Sequence, residues 1–526
     1  AQAFFLLKRG FSRGSRLSTM ADPCTGLTSH LLADIAGAAS LLDHKLADRP
    51  QWRLPSCRRL TCGRQKLWLV AQALLLALVL WLALLLVAVR EALGPADGGP
   101  PDPGWLDVRV VKALGTRAYG QVRISLISGS GTPPVTGFFD YSARFRYKWR
   151  QFFLHTTLKA VTPGVSAVLD AGVNLSVHLP LQGVGVAGVI IGDPCVTSPT
   201  GKRWASCQFG DRFRTIERLP ALINAFVGDR DTSFWGIIGD NFYDRTGEIT
   251  ADFFSRISLQ VKSKLFLTVP GNHDYWTFGF PETANTGDQC GNGYMQYYLQ
   301  DTKAAEAAPA GSGLAPFNFS VDPDAKRPLG LIGCNLPAIS NSFWYYQVGN
   351  VGLVGQSGAY SLEATRPYMS EACAWLAQQQ GLEVGMLVGH WDRPGEGASP
   401  EMAVPEWYTE MMALPGCKEL HQRGLLKFVM GHTHCNNPHP NSNGAGFRIA
   451  GFGMHGCGDF GMPVLDTTEQ RVRIWYFDAS SDELYNTLMG CLRSRGGWRA
   501  CTGLARLWLD QEISPADRPS GRLSSA

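Results

Sequence analysis

"FWGIIGDNFYDRTG", residues 234–247, is an apolar run that breaks at Gly239 and then delivers Asp240 and Tyr243, with Asn241 and Phe242 between them. Short apolar runs rich in β-branched and aromatic residues suit a buried strand, and the glycine marks where it stops. Taken alone, the polar end is an ordinary strand-to-loop turn with an aromatic packed beneath it. The reading changes because the pattern recurs. "VAGVIIGDP" (186–194) ends at Asp193, "LFLTVPGNHD" (265–274) at Asn272 and His273, "VGMLVGHW" (384–391) at His390, and "LKFVMGHTH" (426–434) at His432 and His434. Helix-like segments lie between these runs, which predicts an α/β fold, and open α/β sheets bind ligands at the carboxyl ends of their strands. Five such ends can converge on one crevice.

The side chains delivered there are carboxylate, imidazole, amide and phenolate. That mixture suits a pair of mid-row transition metals, whereas Ca²⁺ or Mg²⁺ would call for an all-oxygen set. His432 and His434 are two residues apart, so in an extended segment both rings point the same way. A lone histidine would read as a packed or surface residue; two at this spacing, after a glycine that ends an apolar strand, read as ligands.

The ordered series "GD…GDNFY…GNHD…GH…GHTH" resembles the calcineurin-like metallophosphoesterases, and its "GDNFY" form resembles the purple acid phosphatase branch. The resemblance spans roughly residues 186–480. It implies a calcineurin-like four-layer α/β/β/α sandwich. It also implies that Asp193, Tyr243 and His434 hold one metal, that Asn272, His390 and His432 hold the other, and that Asp240 bridges both. Tyr243 would be the phenolate that favours a ferric ion, so the expected cofactors are two metal ions, Fe³⁺ with a divalent partner (Zn²⁺, Fe²⁺ or Mn²⁺). Two cations about 3.5–4 Å apart acidify a bound water and neutralise the phosphoryl oxygens that the resulting hydroxide attacks. The leaving alkoxide needs a proton. His273 is the candidate donor, with Asp274 beside it to orient the ring.

The expected function is therefore hydrolysis of phosphomonoesters, on a phosphorylated small molecule or a phosphoprotein. The alternatives are a phosphodiesterase or nucleotide pyrophosphatase on the same metals, or a binding module that keeps the fold and has lost catalysis. His273 argues against the last, because a scaffold has no use for a proton donor.

The match departs from the family in places. "GDPC" puts Cys195 where purple acid phosphatases usually have glycine. As a thiolate it would bind the first metal and favour a softer ion such as zinc; as half of a disulfide, with Cys207 for instance, it would only shape the loop. The second reading is preferred, since Tyr243 already supplies a ligand. After His390, Trp391, Asp392 and Arg393 are candidates for substrate contact. Cys435 is expected to be structural, Asp244 a capping residue, and His439 and His455 neighbours of the centre.

A net charge of +4 over 526 residues, with no basic stripe interleaved with aromatics, gives no reason to expect a nucleic-acid partner. The charge that matters is local. "LWLVAQALLLALVLWLALLLVAV" (67–89) has no ionisable side chain and is long enough for a membrane-spanning signal-anchor helix. Arg53, Arg58, Arg59, Arg64 and Lys66 precede it, whereas Arg90 alone follows before Asp97, Asp102 and Asp107. By the positive-inside rule the N-terminus is cytoplasmic and the rest lumenal or extracellular. Ten of the 13 cysteines follow this segment, as an oxidising compartment allows. Asn174 and Asn318 begin glycosylation sequons, and Cys57 and Cys62 are candidates for palmitoylation. The expected order is a disordered cytoplasmic tail (1–66), the membrane helix (67–89), a Pro/Gly linker (90–104), a small β-rich part (105–185), the metallophosphoesterase domain (186–480) and a C-terminal tail (481–526).

Overall fold

In the computed structural model of the chain, the residues described are 72, 74, 75, 78, 79, 81, 82, 106–112, 119–130, 132, 133, 135, 141–147, 150–196, 212–243, 248–274, 343–358, 360, 362–392, 403–452 and 457–513. The chain divides into two units, residues 1–87 and 88–526. In the first, the described residues of the expected membrane segment are helical and their side chains exposed, among them Leu74, Leu75, Leu78, Val79, Trp81 and Leu82. Among the described residues no helix is long and apolar enough to cross a membrane. Most of residues 67–89 lie outside them, as do the expected tail 1–66 and linker 90–104.

The second unit is built on two large sheets. Its strands are β1 (Leu106–Lys112), β2 (Gln121–Ser128), β3 (Tyr141–Tyr147), β4 (Arg150–Ala160), β5 (Ser166–Asp170), β6 (Asn174–His178), β7 (Ala187–Ile191), β8 (Thr232–Ile238), β9 (Leu265–Val269), β10 (Trp344–Val348), β11 (Val351–Gly355), β12 (Val384–Gly389), β13 (Leu426–Met430), β14 (Asn436–Pro438), β15 (Gly446–Ile449), β16 (Gly461–Asp466), β17 (Arg471–Asp478) and β18 (Arg506–Glu512). One sheet runs β18-β17-β16-β7-β8-β9-β1-β2-β4-β3 and the other β10-β11-β12-β13-β15-β14, while β5 and β6 form a separate hairpin. β7, β8 and β9 are mutually parallel, as are β11, β12, β13 and β15.

The helices are α1 (Thr215–Val227), α2 (Glu248–Ser255), α3 (Leu259–Lys262), α4 (Leu362–Gln378), α5 (Val404–Ala413), α6 (Cys417–Gln422) and α7 (Asp482–Arg495). α1 buries Leu219, Leu222, Ile223 and Phe226, one helical stripe, against β7 and β8, and α7 packs on α1 and β17. α5 and α6 cover β12 and β13, with α4 against both. Every residue of β7, β9, β12 and β13 is buried. Strands covered on both faces must be apolar throughout, which is why these segments read as unbroken apolar runs. Between the sheets, Trp344 Nε1 donates to the Thr268 carbonyl at 2.8 Å, and Phe447 of β15 stacks on Trp508 of β18. The arrangement is the mixed α/β architecture expected from the sequence.

The segment expected to be β-rich, 105–185, carries β1 to β6, and β1 pairs with β9 through Val110 and Leu265, so β1 to β4 extend the larger sheet. One boundary differs from expectation. The expected tail from residue 481 is instead ordered structure to Ile513. Ser481 caps α7, accepting from Leu484 N–H at 3.1 Å, and Gly496 at φ 73° follows its last turn. Trp498 is fully buried, Cys491 is bonded to Cys501, and β18 closes the sheet edge beside β17.

Candidate metal centre

The parallel strands β7, β8, β9, β12 and β13 stop one to three residues before Asp193, Asp240, Asn272, His390 and His432, and their loops meet. Asp193, Asp240, Tyr243, His432 and His434 all have positive φ, between 50° and 67°. For side chains bearing a Cβ this left-handed conformation costs about 1 kcal/mol or more each, and it persists only where the surroundings over-determine it. Asp193 shows how. Its amide donates to Gly239 O at 3.1 Å, and its Oδ2 accepts from the His432 amide at 2.9 Å, so one residue ties three loops. Gly239, at φ 94°, is required by close approach: a Cβ there would lie 2.5 Å from His390 Nδ1.

Two groups of side chains form. In one, Asp240, His390 and His432 offer ligand atoms within 4.8 Å of one another. Asn272 joins them: its Oδ1 lies 3.2 Å from His390 Nε2 and 3.1 Å from His432 Nδ1, which are 3.3 Å apart, and Asp240 Oδ1 is 3.4 Å from His390 Nε2. Ligands about 2.1 Å from a common ion are separated by about 3.0 Å in an octahedron and about 3.4 Å in a tetrahedron. The donor set and its spacing therefore fit a metal ion. His390 Nδ1 sits 3.0 Å from the Ile238 carbonyl, which fixes the ring and leaves Nε2 to face the group. That orienting partner is a backbone atom, and no sequence signal marks it.

The other group is Asp193, Tyr243 and His434. The tyrosine hydroxyl is 2.9 Å from Asp193 Oδ1 and 3.5 Å from His434 Nε2, and His434 Nε2 is 3.6 Å from Asp193 Oδ1. Asp240 faces Tyr243 as well as His390, which places it between the two groups. Asp193, Asp240, Tyr243, Asn272 and His390 are buried; His273, His432 and His434 are half-buried and form the open side.

Burial pushes the Asp193 carboxyl up to about 8 and the Tyr243 phenol well above its ordinary value, each raised further by the neighbouring carboxylates. Burial would raise Asp240 too, but His390, His273 and His432 outweigh it and hold that carboxyl well below the usual range. Burial would lower His390, yet Asp240 and Asp193 raise it to about 9. Two carboxylates and a phenol buried together favour bound cations or protons, and the interleaved imidazoles are the groups that prefer the former.

His273 donates its amide N–H to Asp240 Oδ1 at 2.8 Å, and its ring stands edge-on to Tyr243 with centroids 4.8 Å apart. Asp274 was expected to orient that ring. Its carboxylate accepts from Asn241 N, Asn241 Nδ2 and Gly271 N at 2.7–3.0 Å, so it also ties the β8 and β9 loops together. The geometry of a tight turn, "GNHD", points the aspartate back at its own amides. Cys195 is disulfide-bonded and so offers no thiolate. Cys435 is bonded to Cys457. Trp391 is buried edge-on to His390, and Asp392 pairs with Arg448 at 3.5 Å and lies 4.0 Å from His439. Arg393, Asp244, His455, Cys207 and Asn318 lie outside the described residues.

No family model matches the chain, and no curated protein does. Among solved structures it is similar to the purple acid phosphatase PPD1 from yellow lupin (Lupinus luteus) seeds, at 13% identity over 71% of this chain and 72% of that one, with a TM-score of 0.41. It is also similar to PhoD, at 8% identity over 72% and 87% with a TM-score of 0.34, and to a dimetal phosphatase from Danio rerio, at 11% over 56% and 96% with a TM-score of 0.31. Each likeness is partial.

Proposed function

We propose that the protein is a dinuclear metal-dependent phosphoesterase that hydrolyses phosphomonoesters, held at a membrane by residues 67–89 with its second unit on the lumenal or extracellular side. The observation that carries the hydrolase reading is the pair of side-chain groups at the strand ends, spaced as ligands and joined through Asp240. Asp193, Tyr243 and His434 would hold one ion, Asn272, His390 and His432 the other, and Asp240 both. When bound, such a pair supplies a water acidified toward neutral pH and positive charge for the phosphoryl oxygens. The phenol of Tyr243, on the side of Asp193, favours Fe³⁺ there and a divalent ion opposite.

The chain's own residues do the rest. Asp193 and Asp274 hold the β7, β8, β9 and β13 loops in register through hydrogen bonds to backbone amides. His273, on the open side, is placed to give its proton to the departing alkoxide oxygen, and its amide bond to Asp240 fixes where the ring starts. The Cys373–Cys417, Cys435–Cys457 and Cys491–Cys501 disulfides support an oxidising compartment. Asn174, exposed at the start of β6, is available for glycosylation.

The test is elemental analysis of the purified chain together with hydrolysis of p-nitrophenyl phosphate and of an alkyl phosphate, for wild type and His273→Ala. Two metals per chain are expected. His273→Ala should keep both, change the nitrophenyl rate little, and lower the alkyl rate about 10²–10⁴-fold, the range for a lost general acid. No metal in wild type refutes the reading; equal losses on both substrates refute the acid role of His273.

A further inference from the structure

The two halves of the centre are held by different means. His390 and His432 follow directly from the ends of β12 and β13, and His390 is locked by a carbonyl of β8. His434 lies beyond β13 and Asp193 beyond β7, and the segments beside both are joined through one further residue, Asn436.

Asn436 is buried, two residues past His434, and its amide is fully used. Its Oδ1 accepts from the amides of Ala450 at 3.1 Å and Gly451 at 3.0 Å. Its Nδ2 donates to the Gly451 carbonyl at 3.0 Å and to the Tyr476 hydroxyl at 3.4 Å. Its own backbone N–H donates to Asp459 Oδ2 at 2.9 Å. The approach is close enough that a Cβ on Gly451 would stand 2.6 Å from Asn436 Nδ2.

The backbone held in this way reaches two of the three ligands in the Asp193–Tyr243–His434 half, His434 and Asp193. On one side Ala450 N–H also bonds the Cys435 carbonyl at 3.1 Å, and the Cys435–Cys457 disulfide adjoins His434. On the other, the Phe452 carbonyl accepts from Cys195 N–H at 2.9 Å, two residues from Asp193. An amide that uses two acceptor and two donor sites at once orients what it binds far more narrowly than a single bond does.

We propose that Asn436 is the positioning residue of the Asp193–Tyr243–His434 half of the centre, holding His434 and Asp193 at the spacing one ion requires, while the Asn272–His390–His432 half, coupled to it through the Asp193–His432 amide bond, depends on Asn436 less. This rests on the dinuclear reading above. Removing a group that orients a ligand costs about 10–100-fold in metal affinity. Loss of Asn436 should therefore divide the centre, with one ion bound nearly as before and the other weakly.

The experiment is titration of the metal-stripped full chain with Zn²⁺ against a chromophoric chelator, with elemental analysis after dialysis. It compares wild type, Asn436→Ala, Asn436→Asp and Asn350→Ala. Asn350 is the control: it is equally buried and hydrogen-bonded, to Glu383 and Thr467, but precedes β11, at the opposite end of the sheet from the ligands. Asn436→Asp keeps the shape and the two accepted bonds and replaces the donors with an oxygen facing the Gly451 carbonyl, so together with Asn436→Ala it perturbs the same contacts by a different route; if Asn436→Ala does not fold, the metal binding of Asn436→Asp decides the matter. The expected result is two tight ions in wild type and Asn350→Ala, against one tight and one weakened at least tenfold in the Asn436 variants. Unchanged affinity at both sites, or equal weakening of both, overturns the role of Asn436 while leaving the dinuclear reading standing. No Zn²⁺ bound by wild type overturns both.

Discussion

Gly431→Ala tests the convergence of the loops most directly, because it adds one methyl group between the two halves of the centre. A Cβ at this position would lie 2.6 Å from His390 Nδ1, 2.7 Å from Asp193 Oδ2 and 3.0 Å from the Ile238 carbonyl. The first contact is about 0.9 Å short of the roughly 3.5 Å at which such atoms pack. Relief must come from His390, Asp193 or the β13 loop itself, and the first two are fully buried. Overpacking of this size costs about 1–3 kcal/mol of stability, which a domain with this much core should survive. Catalysis should not survive it. Functional groups must sit within about 0.5 Å of their working positions, and a misplacement of about 1 Å costs on the order of 10²-fold in rate. The expected outcome is a folded protein, by circular dichroism and a cooperative melt, with metal content below two per chain and kcat/KM down about 100-fold or more, or about 2.7 kcal/mol of transition-state stabilisation. A Gly431→Ala protein with full metal content and full activity would refute the placement of His390 and Asp193 around this glycine.

Tyr243→Phe should remove the visible absorption band expected of a tyrosinate on Fe³⁺, while Asn272, His390 and His432 keep their ion; a colourless wild type containing iron would rule the phenolate assignment out. Lys427 is buried on β13, donating to the Gly444 carbonyl and Gln511 Oε1, and burial lowers its ammonium to about 8 from 10.5. Because the unfolded chain then binds the proton more tightly than the native one, stability should rise with pH between about 8 and 10.5. Chemical denaturation across that window should show the rise in wild type and its absence in Lys427→Met; parallel curves for the two would exclude it.

Much of the centre was legible one strand at a time. An apolar run that ends in glycine and a metal-binding side chain is a local statement, so Asp193, Asp240, Tyr243, Asn272, His390, His432 and His434 could each be named without knowing which strand neighbours which. The membrane-type segment 67–89 and its flanking charges are likewise local, since hydropathy and charge need no partner to be read. What folding decided is everything that depends on a second element. Asp274 reads as the companion of His273 because the two are adjacent; that its carboxylate also holds amides of its own loop and of the β8 loop is visible only in the fold. The segment after residue 481 reads as a tail because its burial comes from packing on α1 and β17. Asn436 carries no mark in the sequence at all. Its four side-chain bonds run to residues 14 to 40 positions away, brought there by the return of the chain through β15 and the adjoining β17. The identity of the candidate donors was determined by the sequence, because a metal selects atoms by type; their position was decided only by the tertiary structure, because distances between strand ends exist only once the sheets have formed.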